Sequence, residues 1–314
     1  MKKEINKMRK MSAKRIIAVF ALMVCSLANA QQDPQYTQYM YNTIQVNPAY
    51  AGSRGKTSIF GIYRAQWVGL EGAPTTAAAS VNAPVGNKLG LGLSFVNDRI
   101  GPMDDNAISV DFSYTIDVSY NYQLAFGLKG TADLLNIDFT KLNIYNPDDP
   151  GFQNNVDNQF SPNFGAGVFL YSDNTYFGVS VPDFLETKHY EHNTTSVAKD
   201  RMHYYFIGGH VFDLTYNLKF KPAAMVKATK GSPLQADVSA NFLYDEKLTL
   251  GMAYRWDAAL SALVGFQVTK DVFVGYTYDM ETTRLAEYNS GSHEIYLRFE
   301  LVKKNEKVEN PRFF

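Results

Sequence analysis

One cysteine, five histidines and two tryptophans are all that this chain offers of three reactive or structurally demanding residue types. The cysteine, Cys25, lies in a basic and then apolar opening: Lys2, Lys3, Lys7, Arg9, Lys10, Lys14 and Arg15, an apolar run from Ile16 to Leu27, then Ala28-Asn29-Ala30. That order is the pattern of a secretory signal peptide over residues 1–30, removed before Gln31, with Met11 as an alternative start. A lipoprotein reading of Cys25 is disfavoured because Val24 stands where a small residue is expected. The mature chain is then left without disulfides, thiol nucleophile or cysteine metal ligand. Nor does it hold an apolar run of membrane-helix length, which excludes an inner-membrane helical protein. Charge of one sign is scarce too, with 30 basic and 31 acidic residues. Losing residues 1–30 removes seven basic and one acidic residue, leaving 23 against 30, near −7, and no basis for binding nucleic acid.

What the chain does have is alternation. From Ile108 to Tyr120 the even positions are Ile, Val, Phe, Tyr, Ile, Val and Tyr, while the odd positions carry only hydroxyls and carboxylates. Successive side chains leave a pleated strand on opposite faces, so this stretch is a strand with one apolar and one polar side. Its length exceeds an ordinary globular strand and suits a tilted crossing of a bilayer. The pattern returns at Thr57–Trp67, Ala73–Pro84, Lys88–Asp98, Tyr122–Leu135, Phe164–Ser172, Thr175–Val181, Met202–Phe212 and Asn217–Lys227. It continues through Ala236–Tyr244, Leu248–Trp256, Leu260–Val268, Val272–Tyr278 and Glu294–Leu301. About fourteen strands result.

Loop lengths follow the parity of the count. Long connections, Asn97–Asp105, Ile137–Gln159, Asp183–Arg201 and Met280–Ser292, come after odd strands, and short ones such as Asp173-Asn174 and Lys270-Asp271 after even strands. Outer-membrane barrels have short turns on one side and long loops on the other. A soluble β-sandwich also alternates, but strand length, loop parity, 21 Tyr with 21 Phe, and mid-strand charges at Arg64, Lys219, Lys221, Arg255 and Arg298 disfavour it. The fold expected is all-β: a transmembrane antiparallel outer-membrane β-barrel over residues 56–302, with a tail over 303–314. Lipid accepts only a closed sheet, since an open edge leaves amides unpaired.

Gln31–Gly55 breaks the alternation. It is rich in aromatic and amide side chains, with Pro34 and Pro48 as breakers, and Tyr36, Tyr39 and Met40 fall at helical spacing. An ordered periplasmic or luminal segment, a plug or lumen lining, suits that composition better than a disordered tail.

The residues of this segment also carry a resemblance. Asp33-Pro34-Gln35-Tyr36-x-Gln38-Tyr39-Met40-x-Asn42 and Asn47-Pro48-Ala49-Tyr50-Ala51-Gly52 resemble the opening of the PorP/SprF family. So do Tyr63-Arg64-x-Gln66-Trp67 before Gly72-Ala73-Pro74, then Asp98-x-x-Gly101-Pro102, and the closing Asn310-Pro311-Arg312-Phe313-Phe314. The resemblance implies an outer-membrane protein of the type IX secretion system of Bacteroidetes. It implies work with that machinery, including periplasmic or lipoprotein components, on secretion or surface attachment of large cargo. Such cargo includes gliding adhesins and often carries a C-terminal sorting domain. The partners expected are thus outer-membrane lipid and secreted cargo protein.

Candidate partner-binding residues are Gln35, Tyr36, Tyr39, Met40, Asn42, Asn47, Pro48 and Tyr50 of the opening motif, with Arg64, Gln66, Arg312 and Phe314 of the later ones. Phe152, Phe160, Phe184 and Tyr190 on the long loops join them as aromatic anchors. The tail reads equally as a docking element or as a loose end. No cofactor is expected. His189 and His192 beside Glu191, and the acidic run Asn146-Pro147-Asp148-Asp149-Pro150, lack the spacing of a metal site and read as solvated loops. No G-x-S-x-G and no P-loop occurs, so a non-enzymatic role is expected. The rival role is a passive or substrate-specific diffusion channel.

Overall fold

The structure, a computed structural model, describes residues 39–142, 155–185 and 201–301. The expected signal peptide over residues 1–30, Gln35, Tyr36, Phe152, Tyr190, Arg312, Phe314, the pair His189 and His192, and the acidic run 146–150 lie outside them.

Fourteen antiparallel strands form one sheet that closes on itself. They are β1 (Thr57–Ala65), β2 (Thr75–Val85), β3 (Leu89–Ile100), β4 (Met103–Asp117), β5 (Gln123–Ile137), β6 (Val156–Tyr171) and β7 (Thr175–Val181). After them come β8 (His203–His210, resuming past Val211 as Phe212–Thr215), β9 (Leu218–Thr229), β10 (Gln235–Tyr244) and β11 (Leu248–Arg255). The last are β12 (Ala259–Gln267), β13 (Val272–Glu281) and β14 (Ser292–Leu301). Closure is made by β14 on β1, in register from Thr57 against Leu301 to Ala65 against His293. Each strand therefore has two neighbours and no edge is left along the wall.

The alternation decides which side is which. Leu91, Leu93, Phe95, Ile108, Val110, Phe112, Leu250, Met252, Val264 and Phe266 are exposed on the outside. Between them Ser94, Ser109, Asp111, Ser113, Thr249, Ser261 and Thr277 are buried on the inside. A monomer in water does not carry an apolar belt around its whole girth; hydrocarbon is its solvent. The inner wall is not uniformly polar. Phe60, Ile62, Phe169, Tyr171, Tyr176, Tyr205, Phe273 and Tyr296 also point inward, and they join Tyr39, Met40, Tyr41, Ile44, Ala49 and Tyr50 in the main core.

Connections after even strands span two to five residues. The longest ones, 138–155 and 182–202, follow odd strands. Two expectations need correction. Asn97–Asp105 is not a long loop: β3 and β4 pair to Ile100 against Met103, and the hairpin turns at Gly101-Pro102, with Gly101 at φ +56°. Likewise Val156–Gln159 belongs to β6, which starts well before Phe164 and pairs with β5 as far as Ile137 against Val156. Both stretches lie beyond the apolar belt, where water meets each face, so the strand continues while its hydrophobic period disappears.

This leaves a wall of unequal height. β4, β5 and β6 have 15, 15 and 16 residues, against 7 for β7 and 8 for β11. β6 overhangs β7, whose pairing with it stops at Ala166 against Val181. At the top of the overhang Leu135, Ile137 and Phe139 form a separate core with Met103 and Val156. The Asp138 amide donates to the Pro102 carbonyl at 3.1 Å, and the Phe139 amide to Asn155 Oδ1 at 3.0 Å.

Candidate functional site

The opening segment lies against the inward face of strands from all round the wall. Asn42, Asn47 and Ala51 fix its path. Thr43–Val46 makes one helical turn, α1, and the chain turns again at Pro48–Tyr50. Asn47 stands between the two turns in extended conformation; its Oδ1 accepts from the Ala49 amide at 3.0 Å and its Nδ2 donates to the Val168 carbonyl of β6 at 3.1 Å. Pro48 follows at the first position of its turn, where a missing N–H costs nothing.

Backbone carbonyls that a short helical turn leaves without partners are met by the barrel. Lys129 Nζ donates to Ile44 O at 3.2 Å and Gln45 O at 3.1 Å, while 3.6 Å from Asp111 Oδ1. Ser180 Oγ donates to Val46 O at 2.6 Å, and Ser113 Oγ to Ala51 O at 2.7 Å. Ser80 Oγ donates to Asn42 Oδ1 at 3.2 Å, and the Gly52 amide to Asn82 Oδ1 at 3.3 Å. Arg54 Nε closes the segment with a 2.6 Å bond to Glu300 Oε1 of β14. Tyr41 stacks on Phe273 at 5.6 Å and meets Tyr296 at 5.3 Å; Lys221 Nζ lies 5.7 Å from its ring and 5.6 Å from that of Tyr176. Burial pushes the Tyr41 hydroxyl up to about 12, so it stays neutral in that stack.

Glycines make the approach possible. A Cβ at Gly90 would stand 2.0 Å from Ala51 O, at Gly92 2.4 Å from Ile44 Cδ1, at Gly127 2.1 Å from Ala49 N, and at Gly167 2.2 Å from Asn47 Oδ1. Three strands, β3, β5 and β6, thus drop side chains where this segment passes.

Above the segment the lumen holds ion pairs. Arg64, 2 % exposed, lies 2.7 Å from Asp279 Oδ2 and 3.0 Å from Glu294 Oε2. Arg255 Nε meets Asp237 Oδ1 at 2.7 Å, and Thr76 Oγ1 donates to Asp98 Oδ1 at 2.6 Å. Buried charges persist only when answered this way.

The candidate residues therefore separate. Tyr39, Met40, Asn42, Asn47, Pro48 and Tyr50 are buried against the wall, and Arg64 is buried in its ion pairs. Gln66 is half-buried at the end of β1, its amide donating to Pro74 O at 2.9 Å. Phe160 and Phe184 are exposed at the long-loop end. The structure brings the opening motif together with Lys129, Ser113, Ser180 and the four glycines, none of which the spacing singled out. Among the described residues no cluster of three or more His, Cys, Asp and Glu could hold a metal ion.

The family of type IX secretion system membrane proteins PorP/SprF matches residues 28–299. The chain belongs to the PorP/SprF family. A PorP/SprF protein with a closed wall and an apolar belt is an outer-membrane barrel, and its short turns mark the periplasmic end. It is a membrane component of type IX secretion. No curated protein matches. Among solved structures the chain is similar to the Acinetobacter baumannii outer membrane protein Omp33, with 8% identity over 78% of this chain and 98% of that one, at a TM-score of 0.48. It is also similar to the Ralstonia pickettii toluene transporter TbuX, with 9% identity over 82% and 92%, at a TM-score of 0.48. Likenesses of this degree carry no argument about function.

Proposed function

We propose that this barrel is a plugged, non-enzymatic partner of the type IX machinery that assists secretion or surface anchoring of large cargo proteins, gliding adhesins among them, without conducting them through its own lumen. Residues 31–55 form the plug, residues 56–302 the barrel, and residues 303–314 a periplasmic tail. The observation that supports this reading is the seat of the opening segment. A transient occupant of a pore needs a wall that can stand alone. Here Gly90, Gly92, Gly127 and Gly167 leave room that only the segment's own backbone and side chains fill. Lys129 spends its donors on two carbonyls of that segment. Removing it would strip partners from buried groups at each of these points.

Cargo is then met at the outer end, where Phe160 and Phe184 are exposed. Aromatic side chains at such positions are common anchors of protein contacts. Gln35, Tyr36, Tyr39, Met40, Asn42, Asn47, Pro48 and Tyr50 serve the plug, and Arg64 and Gln66 the wall around it. Arg312 and Phe314 of the tail face the periplasmic components.

Planar-bilayer conductance separates this from a diffusion channel. The intact protein is expected to stay closed, and a variant lacking residues 31–55 to show either open-channel steps or failure to fold. In cells the same deletion is expected to remove cargo from the surface. Steady conductance of the intact barrel, with surface cargo unaffected by its loss, would overturn the reading.

A further inference from the structure

The opening segment has a direction in the lumen. Short turns mark the periplasmic end, so β2 and β10 run down to it while β3 and β5 rise from it. Three strands meet the segment at two heights, and each gives the same order. On β2, Asn82 accepts from the Gly52 amide at 3.3 Å, and Ser80, two residues nearer the outer end, donates to Asn42 at 3.2 Å. On β3, Gly90 lies against Ala51 and Gly92, higher, against Ile44. On β5, Gly127 lies against Ala49, and Lys129, higher, reaches Ile44 O and Gln45 O. Later residues of the segment therefore sit lower, down to Arg54, which meets Glu300 at the periplasmic end of β14.

The other end of the segment points up. Met40 Sδ accepts from Asn241 Nδ2 at 3.3 Å and from Ser239 Oγ, one step higher on β10, at 3.9 Å. The Tyr39 hydroxyl stands in the field of Asp237 and Arg255, a cross-strand pair one step higher again. Arg255 is the last residue of β11, next to an outer turn, and of β10 only Gln235 and Ala236 stand above Asp237. Two strand residues make about 7 Å of wall. The stretch 31–38 ahead of Tyr39 spans up to about 26 Å when extended, and Pro34 breaks any helix that would shorten it. It is long enough to clear the rim on this side. Gln31, Gln32, Asp33, Gln35, Thr37 and Gln38 make it polar, which suits a lumen lined at that height by Arg64 with Asp279 and Glu294, and by Arg255 with Asp237.

We propose that the plug is threaded from the outer side towards the periplasm: residues 31–38 occupy the upper lumen and carry the amino terminus of the mature chain to the outer mouth. That terminus then belongs to the surface that meets exported protein, not to the periplasmic face. The inference rests on the reading of residues 1–30 as a removed signal peptide and of residues 31–55 as the plug, and it gives the plug a polarity.

The test is single-cysteine labelling of the full-length protein in intact cells, with a polyethylene-glycol maleimide too large to pass the outer membrane. Cys25 is the one cysteine and lies in residues 1–30, so the wild type serves as the unlabelled blank. Gln32→Cys probes the amino end, Glu71→Cys the outer loop between β1 and β2, and Asn87→Cys the periplasmic turn between β2 and β3. Gln32→Cys is expected to react to the same extent as Glu71→Cys while the membrane is intact, and Asn87→Cys only once it is permeabilised. Should Gln32→Cys fail to assemble, Gln35→Cys gives the same reading. Reaction at the amino end only after permeabilisation, or none at all in a barrel that migrates as folded on an unheated gel, overturns the proposal. Conductance tests the plug separately, so a closed barrel whose amino end reacts only from the periplasm sinks the threading and leaves the plug standing.

Discussion

The two larger apolar cores of the barrel solve different problems. The larger one is luminal: Tyr39, Tyr41, Ile44 and Tyr50 of the opening segment pack on Phe169, Tyr176, Phe273 and Tyr296 of the wall. It exists because a bilayer solvates the outer face, so the inner face is the only one that can be buried against protein. The smaller one, Leu135, Ile137 and Phe139 with Met103 and Val156, lies where β4, β5 and β6 have risen beyond the belt. Water meets both sides of that sheet, and a few residues plus hydrogen bonds at Pro102 and Asn155 hold it. The luminal core is integral to the wall, whereas the smaller one stabilises a projection.

Substitution should expose this difference first at glycine. Gly127→Val places side-chain atoms on Ala49, and backbone there cannot yield as a flexible side chain could. It is expected to cost more than about 3 kcal/mol and to expose residues 39–55 to protease. Gly130→Val, in the same strand but with no atom within 4 Å of its added Cβ, is expected to change stability by less than about 0.5 kcal/mol. Equal sensitivity of the two would break the contrast.

Charge gives the next contrast. Lys129→Met leaves the Asp111 carboxylate buried beside two carbonyls that have lost a donor, at a cost of about 3–5 kcal/mol by thermal unfolding. Arg99→Met breaks an ion pair with Asp104 on the projection, but Arg99 is 61 % exposed there, and less than about 1 kcal/mol is expected. Smaller in reach is Leu135→Ala. It should cost about 2–3 kcal/mol within the upper core, raising hydrogen exchange at Met103 and Phe139 while leaving that of Ile44 and Ala49 unchanged.

The pH scale separates the two regions at opposite ends. Burial raises the Tyr41 hydroxyl from the usual 10.0 to about 12, so the folded state holds its proton more tightly than the unfolded chain does. The stability this represents is complete below pH 10 and is lost as pH rises towards 12, which absorbance at 295 nm against protease release of the segment would follow. On the projection, the hydrogen bond from the Thr140 hydroxyl holds Asp138 below the ordinary carboxylate range. Its contribution is present above the ordinary value of 3.8 and fades as pH falls through the lowered one. Exchange at Phe139 and Thr140 should rise in acid, with the luminal segment unaffected.

Most of the wall was legible because a lipid-facing strand must alternate, residue by residue, for its whole crossing. That rule marks Ile108–Tyr120 and Leu260–Val268 without any partner in view. It fails at Asn97–Asp105 and Val156–Gln159, where polar residues such as Asn97, Arg99, Asp104 and Asp157 interrupt the apolar period. There only Gly101-Pro102 signals the hairpin. Of the luminal site, the aromatic and amide character of Gln31–Gly55 points to an ordered segment, but the helical turns stand at Thr43–Val46 and Pro48–Tyr50, beyond the residues Tyr39 and Met40 whose spacing suggested a helix. The other half was hidden. Gly127 and Gly167 look like weak points in strands until Ala49 and Asn47, far away in sequence, come to rest on them.

The order of side chains along each strand sufficed to decide which residues face hydrocarbon and how many crossings there are, since these depend on a local period of two. What stands opposite each inward residue depends on closure of β14 on β1 and on the return of residues 39–55 across the lumen. Those are contacts between positions up to 246 residues apart, as for Arg54 and Glu300, and no local pattern encodes them.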